Sequence, residues 1–398
     1  MNGLRLPIVA STMTNACGIG SRTVWEALTE NRSGLRPFDL DWAASIETWV
    51  GRVDALEAVR LPQRLVARDS RSNRLAWISL EQDGFRDAVA AAVARHGPDR
   101  IGLFVGTTTS GVLSTELAYR DWARADAQGR SASPALRREI HRMHATTAMI
   151  RDELGLRGPT HTVSTACSSS AKVFAAAARF ITAGWCAAAV VGGVDSLTLS
   201  TLFGFRALDL VSARPCRPFA ADRDGISIGE AAGFALIDPH QDSPTELIGY
   251  GESSDAWHMS SPHPEGAGAA QAMRAALAMA ELEPEAVGYV NLHGTASRAN
   301  DAAEDRAITA VFGRTTPVSS TKGFTGHTLG AAGITEALFT VRSLVEQWLP
   351  RTIHCDAIDP ALGAAVMRAS RPSAIEVAMS NSFGFGGSNC ALLFGRTR

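Results

Sequence analysis

Lysine is almost missing from this sequence. Of 38 basic side chains only Lys172 and Lys322 are lysines, which leaves 38 − 2 = 36 arginines. The bias is compositional, but it draws attention to the two exceptions. An excess of either charge is missing as well: 38 basic against 40 acidic side chains give a net −2. A nucleic-acid-binding domain would normally be strongly basic. Cysteine is sparse and never closely spaced. Cys17, Cys167, Cys186, Cys216, Cys355 and Cys390 contain no two residues two to four apart, which excludes zinc-finger, ferredoxin and thioredoxin patterns. Six cysteines in 398 residues are too few for a disulfide scaffold and point to a reducing compartment. Long hydrophobic runs are absent too. The most apolar stretch, residues 186–194, falls far short of the roughly 20 residues of a membrane span. The start, MNGLRLPIVASTMT, places Pro7 inside its only apolar run without a cationic leader, a poor signal peptide. A soluble cytoplasmic protein is the expectation. No repeat of 20 to 50 residues and no low-complexity tract is visible.

What remains is an ordinary globular mixture, 45% hydrophobic and 20% charged, long enough for roughly two to three domains. Strands are predicted over residues 6–11, 101–105, 161–164, 188–191, 288–292, 318–320 and 375–381. Ala-rich helices are predicted over 168–183, 269–280, 302–311 and 331–346, with Gly184 as a terminator of the first. Apolar strands alternating with helices indicate an α/β protein whose sheet is covered on both faces. The polar, proline-bearing stretch 238–245 is the best boundary, giving halves 1–240 and 241–398.

Four segments carry chemistry-bearing residues beside glycine or other small residues. In Thr162-Val163-Ser164-Thr165-Ala166-Cys167-Ser168-Ser169-Ser170-Ala171, a strand ends and a helix starts directly after the cysteine. Unpaired N–H groups and the positive helix end would favour a thiolate there. Read alone, Cys167 is as readily a small buried hydrophobe. His293 follows a strand in Val290-Asn291-Leu292-His293-Gly294-Thr295-Ala296-Ser297, the place where open α/β sheets put catalytic groups. His327 lies in a glycine-flanked loop, Ser320-Thr321-Lys322-Gly323-Phe324-Thr325-Gly326-His327. Either histidine alone is as well explained by a structural hydrogen bond. The turn Asn381-Ser382-Phe383-Gly384-Phe385-Gly386-Gly387-Ser388-Asn389 lacks the lysine and following helix of a phosphate loop. It suits a backbone N–H offered to a developing oxyanion.

In order and wording the four segments resemble the β-ketoacyl-acyl carrier protein synthase family, elongating condensing enzymes of the Cys-His-His type. The resemblance runs from residues 7–20 to 381–394, and Asp222-Arg223-Asp224-Gly225 and His258-Met259-Ser260-Ser261-Pro262 belong to it. It implies an α/β thiolase-type fold of two similar halves in a five-layered αβαβα arrangement. Cys167 matches the acylated nucleophile, and His293 and His327 match the two catalytic histidines. Lys322 matches the lysine five residues before the second histidine. Glu304 matches its acidic neighbour, expected to pair with Lys322 and keep His327 in place. Phe385 matches the gatekeeper, and its N–H with that of Cys167 the oxyanion hole. Thr295 and Ser297 match the hydroxyls that contact the phosphopantetheine arm.

The implied reaction is decarboxylative Claisen condensation. A low-pKa thiolate would hold the acyl group without a general base. Two neutral histidines would then donate to the enolate left by a malonyl thioester. The resemblance implies no metal and no cofactor beyond the carrier-borne phosphopantetheine. Ser168-Ser169-Ser170 stands where common fatty-acid synthases tend to have Ala-Thr-Gly. The Cys-Ser-Ser-Ser-Ala-Lys wording resembles synthases of aryl polyene or xanthomonadin-type clusters, some of which pair with a chain-length factor. The expected partners are an acyl carrier protein and a second subunit, either a copy of this chain or a chain-length factor. Carrier proteins are acidic, and Arg60, Arg64, Arg68, Arg71 and Arg74 form the densest basic run, with Arg137 and Arg138 second. An ordinary solvated helix face explains that run equally well. Two other functions stay open: a subunit that mainly shapes a chain-length-factor partner's cavity, and an acyltransferase without condensation.

Overall fold

The computed structural model describes residues 3–40, 46–127 and 137–397. Two groups of five strands repeat one pattern. The first comprises β1 (Leu6–Asn15), β2 (Ile101–Gly106), β3 (Thr160–Val163), β4 (Ala188–Asp195) and β5 (Ala231–Ile237). They lie in the order β3-β2-β4-β5-β1. The second comprises β6 (Thr245–Ser254), β7 (Tyr289–Asn291), β8 (Pro317–Ser319), β9 (Val377–Gly384) and β10 (Ser388–Arg396), in the order β8-β7-β9-β10-β6. In each group the first three strands of that order run parallel and the last two antiparallel. The halves are therefore topological copies. Pairing of Leu6 with Leu247 and Pro7 with Glu246 joins β1 to β6 within a sheet of 12 strands among the described residues.

Helices α1 (Arg71–Leu80) and α2 (Phe85–His96) pack on the first group. On the second lies α5 (Ala267–Ala280), with α6 (Arg298–Phe312) packed against it. Between the groups run α3 (Ser169–Thr182), from β3 to β4, and α7 (Ala332–Glu346), from β8 to β9. The result is the five-layered thiolase-type arrangement. Burial explains the strand compositions: β2 and β4 are buried along their whole length and read as continuous apolar or small-residue runs. The helix α4 (Leu199–Ala207) follows β4 and leads toward the site. No helix among the described residues is long and apolar enough to cross a membrane.

The sequence expectation missed β5 and β6. Strand β5 is as buried as β2 and β4, but its sequence opens on Ala231-Ala232-Gly233 and has one β-branched residue, Ile237, so it reads as readily as helix. Strand β6 is broken by Gly249 and Gly251, where a Cβ would come 2.4 Å from Ala276 O and 1.9 Å from Ala272 O. The glycines there let α5 lie directly on the strand. Helix α6 begins four residues earlier than expected, because Ser297 caps it by accepting the Asn300 N–H.

Close contacts also surround the start of α3. A Cβ on Gly333 would stand 2.3 Å from Ala171 N, and one on Gly106 would stand 2.4 Å from Ser170 N. Gly333→Ala should lower the unfolding free energy by about 1–3 kcal/mol. By contrast Gly204→Ala, in α4 with nothing within 4 Å of the added Cβ, should raise it by roughly 0.5–1 kcal/mol. Equal midpoints for the two variants in chemical denaturation would contradict this account of the helix crossing.

Candidate active site

The nucleophile turn is built from hydroxyls. Ala166 sits at φ +50 and helix α3 starts at Ser169, so Cys167 stands two residues before it. Ser168 Oγ donates to Thr165 O (2.8 Å). Ser169 Oγ accepts the Thr165 N–H (2.9 Å) and donates to Ala166 O (2.5 Å). Ser170 Oγ reaches across to accept the Ile334 N–H of α7 (2.9 Å). The triple serine that departs from the usual wording thus pins the turn internally and to the opposite helix.

His327 occupies the corresponding place in the second half, in the loop between β8 and α7. Its N–H donates to Ser227 O (2.7 Å) and its carbonyl accepts the Gly229 N–H (2.9 Å). Its Nε2 lies 3.0 Å from Cys167 Sγ. His293 follows β7, and its ring stands 5.3 Å from that of His327 at 86°. Reactive atoms of Cys167, His293 and His327 all lie within 4.8 Å of one another, and all three residues are buried. They line a cleft together with Phe205, Phe383, Phe385, Thr295 and Ser297.

Lys322 and Glu304 are both present but not as a pair. Lys322 Nζ bonds Glu336 of α7, an ion pair with 1% and 3% side-chain exposure. It also bonds His293 O and lies 3.3 Å from His293 Nδ1. Glu304 instead accepts the backbone N–H groups of His293 (2.8 Å) and Gly294 (2.7 Å). Two expectations are therefore corrected: the carboxylate partner of Lys322 is Glu336, and the histidine it contacts is His293. The reason is topological, since Glu336 lies one turn into α7 and faces back across the loop that holds Lys322. Lys172, the other lysine, stands 3.7 Å from Glu252 on β6.

Sequence reading also missed Asp195. At the end of β4 its carboxylate accepts from Thr107 Oγ1 (2.8 Å), Thr108 N (2.8 Å), Thr109 N (2.9 Å) and Gly330 N (2.6 Å). It ties the loop after β2 to the loop of His327. The available signal was an acid closing the otherwise apolar run Val190-Val191-Gly192-Gly193-Val194-Asp195.

Burial governs the electrostatics. It pushes the Cys167 thiol up to about 11, against the pull of Lys322 and of the Phe385 N–H. Burial and the Lys322 charge hold both histidines well below the usual imidazole value. The resting site is then a thiol bonded to a neutral imidazole, not the thiolate expected from the helix start alone. With Lys322 donating to His293 Nδ1, that ring carries its proton on Nε2, toward the cleft. Cys167, His293 and His327 offer three atoms a metal could use, but the ammonium 3.3 Å from His293 Nδ1 opposes a divalent cation.

The basic run is largely self-neutralised. Arg71 is clamped between buried Glu230 (2.6 Å) and Glu57 (2.7 Å), so it is a fold anchor and not a docking residue. Arg64 pairs with Glu153 (2.6 Å), Arg68 with Asp152 (2.8 Å) and Arg74 with Asp69 (2.6 Å). Arg60 bonds the carbonyls of Glu57 and Val59 and is exposed, while Arg137 bonds Ala67 O and Arg138 is exposed.

A helix-start cysteine facing two neutral histidines on a duplicated five-layer sheet defines an acyltransferase of the thiolase fold. The profile described as "Beta-ketoacyl synthase, N-terminal domain" matches residues 5–243, and its C-terminal counterpart matches residues 245–356. The chain is 33% identical to 3-oxoacyl-(acyl-carrier-protein) synthase 2 of Vibrio cholerae, covering 100% of both chains. A Staphylococcus aureus protein of the same name is 34% identical, with 98% of each chain covered. Among solved structures, a Xenorhabdus doucetiae ketosynthase (ApeO) in complex with its chain length factor (ApeC) is 37% identical. It superposes with a TM-score of 0.90 over 100% of this chain and 98% of that one. A Burkholderia phymatum beta-ketoacyl synthase is 28% identical, with a TM-score of 0.88 over 99% and 100%. The chain belongs to the beta-ketoacyl synthase family.

Two outcomes follow from the geometry. A depressed imidazole pKa extends the neutral form to lower pH, so neither His293 nor His327 should titrate between pH 8 and pH 6.5 when followed by NMR of their ring protons. A midpoint at or above 6.5 for either ring would refute the account. Lys322→Met, which strands Glu336, should cost about 3–5 kcal/mol of stability in denaturant unfolding, while Lys322→Met with Glu336→Leu should recover most of it.

Proposed function

We propose that this chain condenses an acyl group carried on Cys167 with a malonyl group carried by an acyl carrier protein, releasing CO2 and a β-ketoacyl carrier. The observation that carries the reading is the 3.0 Å contact of Cys167 Sγ with His327 Nε2, beside a second neutral imidazole. As Sγ attacks the incoming thioester carbonyl, His327 Nε2 takes the thiol proton and passes it to the departing phosphopantetheine sulfur. A general base is needed here because burial keeps the resting sulfur protonated. The N–H groups of Cys167 and Phe385 are the donors for the oxyanion.

For the second step, His293 presents Nε2–H to the malonyl thioester oxygen. The pair of electrons from the breaking C–CO2 bond becomes the enolate, which that hydrogen bond stabilises. The enolate carbon attacks the acyl carbonyl, the bond to Cys167 breaks, and the sulfur leaves as thiolate. With its pKa near 11, that sulfur takes up one proton from solvent, balancing the loss of a carboxylate as CO2.

The substrates arrive on the phosphopantetheine arm, past Thr295 and Ser297, whose hydroxyls lie 3.1 Å apart at the cleft. No cofactor of the chain's own enters these steps, and the work is placed in the cytoplasm. The second subunit is assigned as a chain-length factor. The 37% identical Xenorhabdus ketosynthase was solved with one, and in this chain the sheet ends at β3, directly before the nucleophile turn. The Cys-Ser-Ser-Ser wording supports a specialised polyene pathway over primary fatty acid synthesis. The complete Cys-His-His set argues against a purely structural partner role.

Mass spectrometry after incubation with acyl carrier should find the acyl group on the Cys167 peptide, and labelled malonyl carrier should release labelled CO2. Cys167→Ala should cut condensation by on the order of 10³-fold or more. His293→Ala should retain the acyl adduct while losing CO2 release. Acylation without CO2 release in the wild type would instead assign an acyltransferase, and a fully active Cys167→Ala complex would assign a partner subunit.

A further inference from the structure

We infer that Phe205 is a specificity-determining residue: with Phe385 it forms a two-ring door that favours unbranched over branched acyl thioesters at Cys167. The inference rests on the condensing reading for its substrate class, but the door itself is a matter of geometry. The rings of Phe205 and Phe385 stand 5.4 Å apart between centroids at 48°, and both line the cleft whose floor is Cys167. At that separation the rings touch, so anything reaching the sulfur between them must part the pair.

The two sides of the door are held differently. Phe205 is in the last turn of α4, whose Leu199, Leu202 and Phe205 recur every three residues on one face. That face packs on Ile226, Ile228 and Leu329, so the ring is backed by the segments that hold His327. At the other end of the helix, Glu116 accepts both the Leu199 and Ser200 N–H groups (2.8 Å each), and Thr198 caps the first turn. Phe205 is the fixed side. Phe385 rides on a glycine turn with Gly386 at φ +80, held by backbone bonds from Gly386 N–H to Met259 O and from Asp255 N–H to Gly387 O (2.9 Å each), so a parting of the pair falls to its side chain or to that turn. The Phe385 N–H also bonds Cys167 Sγ, which links that parting to the nucleophile. A straight chain needs the smallest parting, whereas a methyl branch beside the thioester needs a wider one that the fixed ring resists.

The test compares wild type, Phe205→Leu and Phe205→Ala. Alkylation of Cys167 by a bulky maleimide should be about 10-fold faster in Phe205→Ala, with the leucine variant between. Alkylation by the slimmer iodoacetamide should change less. The preference for straight over α-branched acyl carriers, read as acyl adduct on Cys167, should fall by a similar factor. Unchanged maleimide rates and unchanged preference in a folded Phe205→Leu or Phe205→Ala protein would overturn the inference. Failure of the condensing reading would look different: the alkylation rates would still shift while no variant, nor the wild type, released CO2 from malonyl carrier.

Discussion

Two helices that begin against each other organise this molecule. The crossing of α3 and α7 is close enough that Gly333 has no room for a Cβ against Ala171, and Ser170 of one helix caps Ile334 of the other. In each half the helix follows the third strand, so duplication of the topology brings two equivalent helix starts to one point. One start carries Cys167 and the other is preceded by His327. Their catalytic contact is thus a consequence of helix packing, and both positive helix ends face the place where negative charge develops. Cys167 and His327 are 160 residues apart in sequence, yet the packing of the two helix starts brings them into contact.

That arrangement has an electrostatic cost, which the charge distribution offsets. Three groups that must change protonation or share a proton are buried together, and burial favours their neutral forms. Lys322 supplies the one ammonium beside them, and Glu336 neutralises it inside the protein. The ion pair leaves no net charge behind the site while still presenting a donor to His293. A compact ammonium can bond Glu336, His293 O and His293 Nδ1 from one point, which a planar guanidinium fork cannot do. In a chain that otherwise uses arginine almost throughout, geometry explains this exception.

Much of this was legible in the sequence, for identifiable reasons. Strands buried on both faces announce themselves as apolar runs, and residues 101–105 and 188–191 were read that way. Cys167 and His293 stood out because each closely follows a strand beside small residues, and His327 because it sits in a glycine-flanked loop leading into a helix. Strand β6 was hidden because Gly249 and Gly251 serve contact with α5, a tertiary demand that breaks local propensity. The partner of Lys322 was also hidden, since Glu336 sits in a helix whose pattern reads only as core. Asp195 escaped because its role is to accept backbone N–H groups from two loops, and backbone donors leave no trace in composition. The basic run misled in the opposite way. Arg71 looks like its neighbours in sequence, and only the fold shows that buried Glu230 holds it.

The end of the sheet gives the site a dependence that lies outside one chain. Strand β3 closes the path of pairing strands, so its outer edge carries backbone donors and acceptors without a strand beyond it among the described residues. Exposed edges of this kind invite another strand. Only Ser164, Thr165 and Ala166 separate the end of β3 from Cys167. A strand pairing with that edge would therefore lie close to Cys167, and under the proposed function the acyl chain would run between α4 and that neighbour. The door at Phe205 and Phe385 selects what enters. In the proposed assembly with a chain-length factor, the subunit against β3 would limit how far the acyl chain extends. On that proposal a site at a helix crossing near a sheet edge separates the two selections physically: exchange of the neighbour would alter chain length while Cys167, His293 and His327 remain as they are.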